Sequence, residues 1–334
     1  MWTAMFSSVE AGLIYAVMAL GVYLSFRVLD FPDLTVDGSF VTGASVAAVM
    51  IVNGANPFAA SAAALLAGFA AGVVTGLLHT KGKINPLLSG ILMMIALYSI
   101  NLRIMGKSNI PLLQEETVIK QITAAWQQAG WDDVLNRAVS FTGFAPRTWA
   151  VLAAMAAVAV VVKGMVDWLL KTELGIAMRA TGDNQPMVAS FSANTDGLII
   201  FGLGLSNALV AFSGALVAQY GGFSDIGMGI GMIVIGLASV IIGEALFGAH
   251  SVVRATWAVI GGAIVYRLIL ALALRVEFLE TSDVKLITAL IVMAALIVPN
   301  LWAAQKEKRR KRRKAEQLER GEAVAGAETN YKSV

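Results

Sequence analysis

Long apolar blocks, each close to the length of a membrane-crossing helix, fill most of this 334-residue chain, and one long polar passage, Lys171 to Asp196, lies between them. Backbone amides in hydrocarbon must bond within their own segment, so blocks of this kind fold as transmembrane helices. With about 20 apolar residues needed per crossing, nine segments stand out: 7–27, 36–53, 57–79, 87–106, 147–168, 198–219, 226–247, 255–275 and 284–302. Two alternatives stay open: segment 36–53 as a broken or re-entrant piece, and a tenth crossing near Phe31 or elsewhere in the first half. The expected fold class is therefore all-α, a polytopic bundle with discontinuous helices and an inverted repeat over 1–302, followed by a basic, disordered tail over 303–334. Within the bundle Ile226–Glu244, with glycines at 227, 229, 231 and 236, reads as a bent or discontinuous helix. Only 14% of residues are charged, against about 25% in soluble domains, which excludes a soluble enzyme or binding module. Cysteine is absent, so disulfides and thiolate metal sites are excluded as well.

Basic residues near the ends of spans set the orientation. The run Lys306 to Lys314 holds eight of the 25 Lys and Arg residues and places the C-terminus in the cytoplasm. It follows a membrane segment directly, so it reads as attraction to anionic headgroups and not as a nucleic-acid site. Counting back, Lys171–Asp196, His79–Asn85 and the Arg27 turn fall inside, while 107–146, with Glu115, Glu116, Asp132 and Asp133, falls outside. The N-terminus is external with nine spans and internal with ten. MWTAMFSSVEAGLIYAVMALG has neither a basic n-region nor a small-residue cleavage site, and is expected to remain as the first span. In the external segment, Val118, Ile122, Ala125 and Trp126 recur at helical spacing within Glu115–Gln128, which predicts an amphipathic helix. Two readings stand for it: a platform for an external binding protein, or a cap on the bundle. Gly68, Gly72 and Gly76 form overlapping GxxxG patterns for close helix packing.

The polar passage itself reads as a cytoplasmic docking element: a short helix, a corner at Gly182-Asp183-Asn184-Gln185-Pro186, and a second short helix from about Met187. Leu174, Ile176, Ala177 and Met178 sit among Glu173, Arg179 and Asp183, a mixture suited to a groove on a soluble partner. The spacing of Thr172, Leu174, Gly175, Arg179, Ala180, Gly182 and Asn184, with the run Ser192-Ala193-Asn194-Thr195-Asp196, resembles the cytoplasmic loop of permease subunits in the branched-chain amino acid and ribose importer family. The match is specific over Thr172 to Gly248. The phrase from Phe31 to Phe40, FPDLTVDGSF, is similar to that of a subgroup with aromatic amino acid substrates. What the resemblance implies is a bacterial inner-membrane ABC permease, working as a homodimer with a separate ATP-binding subunit and an external substrate-binding protein. On that reading Leu174, Ile176 and Met178 give apolar contact to the ATPase, Glu173 and Arg179 set registry, Gly175 and Gly182 permit close approach, and Ala180 and Asp183 complete the coupling segment.

A faint internal repeat points to the pathway. Phe31-Pro32-Asp33-Leu34, then Gly38 and Gly43-Ala44-Ser45-Val46, echoes Phe223-Ser224-Asp225-Ile226, then Gly231 and Gly236-Leu237-Ala238-Ser239-Val240. The first copy begins inside and the second outside, as an inverted repeat requires. Irregular backbone at membrane depth is tolerated only against protein or water. Asp33, Thr35, Asp37 and Ser39 are therefore expected to face Phe223, Asp225 and the glycine-rich run to Gly231 across the route. The two carboxylates either cap helices or meet the ammonium of an amino acid in transit. Asn207, an amide within a span, and Arg267, about twelve residues into its own, complete the candidate pathway. Glu244 lies near the inner end of its span.

No catalytic constellation is legible. Gly106-Lys107-Ser108 lacks the glycine a phosphate-binding loop needs five residues earlier, where Asn101 stands. His79 and His250 have no metal-ligand spacing. The expectation is a transport subunit without a cofactor, whose ATP is bound by its partner. The rivals are a gradient-driven secondary transporter or channel, and an ABC permease for a sugar or nucleoside.

Overall fold

The computed structural model describes residues 2–139, 146, 148–274, 286–291, 293 and 297. The chain divides into two compact units, Met1–Ala289 and Leu290–Val334, and the helical bundle belongs to the first. The ninth expected span, 284–302, straddles that division and lies mostly outside the described residues, as does the basic tail; residues 286–291 are helical.

Among the described residues, seven helices are long and apolar enough to cross a membrane, and a shorter apolar one accompanies them. They are α1 (Trp2–Tyr23, continued by a π-helical turn Leu24–Val28), α2 (Thr35–Val52), α3 (Pro57–Thr80), α4 (Pro86–Met105), α7 (Ala150–Lys171), α9 (Thr195–Gly221) and α11 (Val252–Ala273). Between them lie α5 (Val118–Gln128), α6 (Trp131–Val139), α8 (Glu173–Ser190) and the short α10 (Met232–Phe247). Local sequence sets the boundaries. Asn56 and Asn85 each accept a hydrogen bond from the backbone two residues on, with Pro57 and Pro86 in the first turns of α3 and α4. Thr172, Asn194 and Ser251 cap α8, α9 and α11 in the same manner. Gly106, at φ +67°, ends α4 in the left-handed region that glycine adopts without strain.

Helix α9 is the axis of the bundle, with α1, α2 and α3 packed around it. The GxxxG face of α3 meets it backbone to backbone: a Cβ on Gly72 would lie 2.1 Å from the Leu203 carbonyl oxygen, and one on Gly68 would lie 2.4 Å from that of Asn207. No larger side chain fits there without parting the helices. A buried ion pair, Lys163 with Asp167, fastens α7 to α11, where Thr256 donates to Asp167 at 2.6 Å and Trp257 lies under the Lys163 ammonium.

The glycine-dense entry of segment 226–247 breaks the helix as expected: it is helical only from Met232, and the preceding six residues are turns, so α10 is about 24 Å long. The structure departs from the sequence reading in one place. A two-stranded antiparallel ladder, unforeseen in the sequence, pairs β1 (Asn109–Pro111) with β2 (Phe223–Asp225) and ties the ends of α4 and α9 together. Helix α5 rests on α7 and α9, with Val118 buried and its amide donating to Gln219, so it does cap the bundle.

Candidate functional site

Two helices that begin inside the bundle meet at α2 and α10. The connector from Leu29 to Leu34 brings Asp33 to complete burial. One Asp33 oxygen accepts from the Thr35 amide at 2.9 Å, capping α2, and the other accepts from Asn207 Nδ2 at 2.6 Å in the middle of α9. Asp225 accepts from the Gly227 amide at 2.8 Å, within the turns that lead into α10. Asp37 acts across the fold: its oxygens accept from the Gly231 amide at 2.9 Å and the Ile233 amide at 2.8 Å, which caps α10. Since Asp37 lies beside Gly231, Val41 beside Gly229, and Arg27 pairs with Glu244 at 3.0 Å, α2 and α10 start together and run to opposite ends. The sequence reading left two uses open for Asp33 and Asp37, a cap on the helix that follows or a contact with an ammonium in transit. Asp33 bonds to the first turn of the helix that follows it, while Asp37 caps α10.

Beside this junction lies a cavity of about 480 Å³ between α2, α4 and the turns 226–231. Its polar lining consists of Asp37, Tyr98, Ser99 and Asn101, and its apolar lining includes Met94, Ile95, Ile226 and Ile230. Asn101, 1% exposed, donates its amide to the Gly38 carbonyl at 3.1 Å, while its Oδ1 has no hydrogen-bond partner. A Cβ on Gly229 would sit 2.1 Å from the Asp37 carbonyl oxygen, so glycine lets the turn reach the cavity wall. Sequence reasoning passed over Asn101, Tyr98 and Ser99, although an amide within an apolar span is the signal used to choose Asn207.

The other expected pathway residues fall elsewhere. Thr35 shares a buried hydroxyl contact with Thr75 at 2.8 Å, and Ser39 is buried with its hydroxyl unpartnered. Phe223 and Asp225 stand in the β ladder at the end of the bundle remote from α8, where Asp225 pairs in register with Asn109. Arg267 does not join either group. Its guanidinium lies over the Tyr15 ring at 3.6 Å, and no carboxylate pairs with it among the described residues.

At the opposite end lies α8, a helix in two pieces. Asn184 leaves helical geometry at φ −158°, ψ 84°, and its side chain accepts from the Met187 amide, starting the second piece with Pro186 in its first turn. Glu173, Leu174, Ile176 and Asp183 are exposed, and Ala180 is half-buried. Met178 does not share their face: it is fully buried, against Gly202 of α9. The Arg179 Nε is also buried and without a partner, so this side chain turns toward its own bundle. A Cβ on Gly175 would lie 2.2 Å from the Leu169 carbonyl oxygen, and one on Gly182 would lie 2.2 Å from that of Val28. Both glycines thus admit the chain's own backbone, the first at the α7–α8 corner and the second where α8 lies on the π-helical turn. Sequence reasoning left out Met187 and Phe191, which are 50% and 77% exposed and extend the apolar surface of α8.

A bundle of helices long and apolar enough to cross a membrane, with the short α10 capped by Asp37 of α2, is that of a multi-pass membrane protein, and comparison with known proteins makes that specific. The chain belongs to the family of permease components of branched-chain amino acid transport systems, whose family model matches residues 4–301. A tyrosine transport system permease protein of Clostridioides difficile (strain R20291) is 43% identical over 295 residues, covering 88% of this chain and 91% of that one. An uncharacterized protein of Rickettsia prowazekii (strain Madrid E) is 30% identical over 294 residues, covering 87% and 95%. Among solved structures, an inward-facing ABC transporter of the metal-chelate type is similar with a TM-score of 0.46 at 15% identity, over 90% of this chain and 85% of that one.

Proposed function

We propose that this permease is the membrane subunit of an ABC importer for an aromatic amino acid such as tyrosine, with two copies forming the route. A separate ATP-binding subunit docks under α8 at the cytoplasmic face of a bacterial inner membrane, and an external binding protein delivers substrate at the α5 end. The observation that carries this reading is the form of α8: Leu174, Ile176, Met187 and Phe191 are exposed at one end of an otherwise membrane-embedded bundle, while Gly182 of the same element packs against the Val28 backbone. Exposed apolar side chains among charges suit a groove on a soluble partner. The substrate assignment rests on the tyrosine permease relative.

Movement of α8 under a nucleotide-driven partner reaches the π-helical turn through Gly182 and Val28. The Arg27–Glu244 pair then links that turn to α10, and the turns 226–231 that lead into α10 border the cavity. The homodimer is supported by α4, whose most apolar stretch is only 28% buried within one copy. The test is reconstitution of the tagged permease with its ATPase and binding protein in proteoliposomes. ATP-dependent uptake of L-tyrosine is expected, and the double variant Leu174→Glu/Ile176→Glu should lose both the co-purifying ATPase and uptake. Uptake without ATP, or an ATPase that stays bound to the double variant, overturns the reading.

A further inference from the structure

Where α10 ends and α11 begins, at the α8 end of the bundle, an apolar groove of about 530 Å³ opens between the two helices. Its walls are Leu246, Phe247 and Trp257, exposed at 61%, 45% and 48%, and the small residues Ala258 and Gly261 form its floor. Glycine keeps that floor low: a Cβ on Gly261 would lie 2.6 Å from the Phe247 ring. Arg254, Trp257, Ala258, Gly261 and Ile264 recur at three- and four-residue intervals, so they form one stripe of α11. From Arg254 to Ile264 the stripe is about 15 Å long, and half of a hydrocarbon core about 30 Å thick is the same length. The groove therefore has the depth of one leaflet.

A single cation stands at its mouth. Arg254 is exposed and donates its Nε to the Phe247 carbonyl at 2.8 Å, which anchors the guanidinium at the α10–α11 corner. His250 stands beside it: a Cβ on Gly248 would lie 3.5 Å from the His250 Nε2 and 3.9 Å from the Arg254 Nε. No carboxylate pairs with Arg254 among the described residues. Helix α11 carries no acidic residue, and the helices beside it have one each, already taken: Glu244 of α10 by Arg27, and Asp167 of α7 by Lys163 and Thr256. An unpaired guanidinium above an interfacial indole and an apolar slot one leaflet deep is complementary to a phosphate carried on an acyl chain.

We propose that this groove binds an anionic phospholipid from the leaflet at the α8 end, with one acyl chain between Phe247 and Trp257 and the headgroup phosphate on Arg254 and His250. Headgroups of net negative charge are preferred over zwitterionic ones, because the carboxylates of α7 and α10 are paired and none is left to meet an ammonium or choline. The site shares no residue with the cavity at α2 and α4 and does not depend on what is transported.

The test reads Trp257 by fluorescence in the full chain, reconstituted in phosphatidylcholine vesicles that hold a minor fraction of phosphatidylglycerol. Bromines near the glycerol end of the acyl chains quench a tryptophan they touch. They are placed on the phosphatidylglycerol in one preparation and on an equal fraction of the phosphatidylcholine in the other. The Trp257 signal is the difference between the wild type and Trp257→Phe, since the other tryptophans are common to both. Phosphatidylglycerol is expected to quench this signal with an apparent affinity about fivefold above that of phosphatidylcholine. Arg254→Gln should bring the ratio to about one, and Arg254→Lys, which keeps the charge, should retain most of it. Gly261→Leu should displace the Phe247 ring, fill the groove and abolish the preference with every charge in place. Arg254 is exposed, so its variants keep the test valid if Gly261→Leu assembles poorly. Equal quenching by the two lipids in the wild type overturns the proposal. A preference that persists in Arg254→Gln traces it to another basic segment, such as Lys306–Lys314, and overturns the headgroup assignment. A Trp257 signal that neither lipid quenches means that protein covers the groove, a second copy or another part of the chain, and overturns the lipid site as well.

Discussion

Asp37 bonds to a helix start 194 residues away in sequence, and that single contact joins the two half-helices. The first turn of α10 leaves amides with no partner inside the helix, and a carboxylate there satisfies two of them and opposes the positive end of the helix dipole. Asp37→Ala is expected to lower stability by about 1–2 kcal/mol through loss of the cap, read as a fall in thermal midpoint of the detergent-solubilised protein. Asp37→Asn, which keeps one acceptor oxygen, should fall between the two. The role of Asp33 was legible because an acidic residue directly before an apolar run is a common helix start. The target of Asp37 was not, because no local pattern announces a cap made in trans. Asn101 was passed over for a related reason: its amide bonds to the Gly38 carbonyl, a contact that exists only once α2 and α4 are packed.

Helix α8 carries two faces whose separation the sequence blurs. Leu174, Ile176 and Met178 look alike along the chain, yet Ile176 is 52% exposed and Met178 fully buried. Met178→Ala is therefore expected to cost about 2–5 kcal/mol, whereas Ile176→Ala should change stability by less than about 0.5 kcal/mol and act on ATPase binding instead. Thermal unfolding and co-purification measured on the same preparations separate the two. The α7–α11 contact gives a second contrast. Lys163→Met leaves Asp167 buried with only Thr256 as donor, and removing one partner of a buried pair costs roughly 3–5 kcal/mol. The double variant Lys163→Met/Asp167→Leu should recover most of that loss, since well-packed apolar residues often replace a buried pair without penalty. At this scale the sequence was most informative where one residue type has one physical use: the glycines of α3 meet α9 as their spacing required, and Gly182-Asp183-Asn184 marks the break in α8. It was silent on the β ladder, whose three-residue strands are too short for any periodicity to register.

The described bundle has two unlike ends, and their chemistry argues for one orientation. One end gathers α8, Arg27, the Lys81–Asp196 pair and Lys83, while the other holds the β ladder, α5, Glu115 and Glu116. Basic residues beside short loops are retained on the cytoplasmic side, so the α8 end should face the cytoplasm and Trp2 the exterior. The gathering of Arg27, Lys81 and Lys83 at the α8 end follows from charge marking the ends of spans in the sequence. The breaks before α2 and α10 were legible too, from Pro32 and Asp33 in one and the glycines at 227, 229 and 231 in the other. The chain has no cysteine, so single cysteines report position without background. Leu113→Cys, at a site 74% exposed beyond the β ladder, is expected to react with a membrane-impermeant maleimide in intact cells. Ile176→Cys should react only after the membrane is opened, and its labelling should fall when the ATP-binding subunit is co-expressed. Ready labelling of Ile176→Cys in intact cells reverses the orientation and removes α8 from reach of any cytoplasmic ATPase. Labelling of Ile176→Cys in opened cells that is indifferent to the ATPase subunit leaves the orientation standing and removes the docking role from that face of α8.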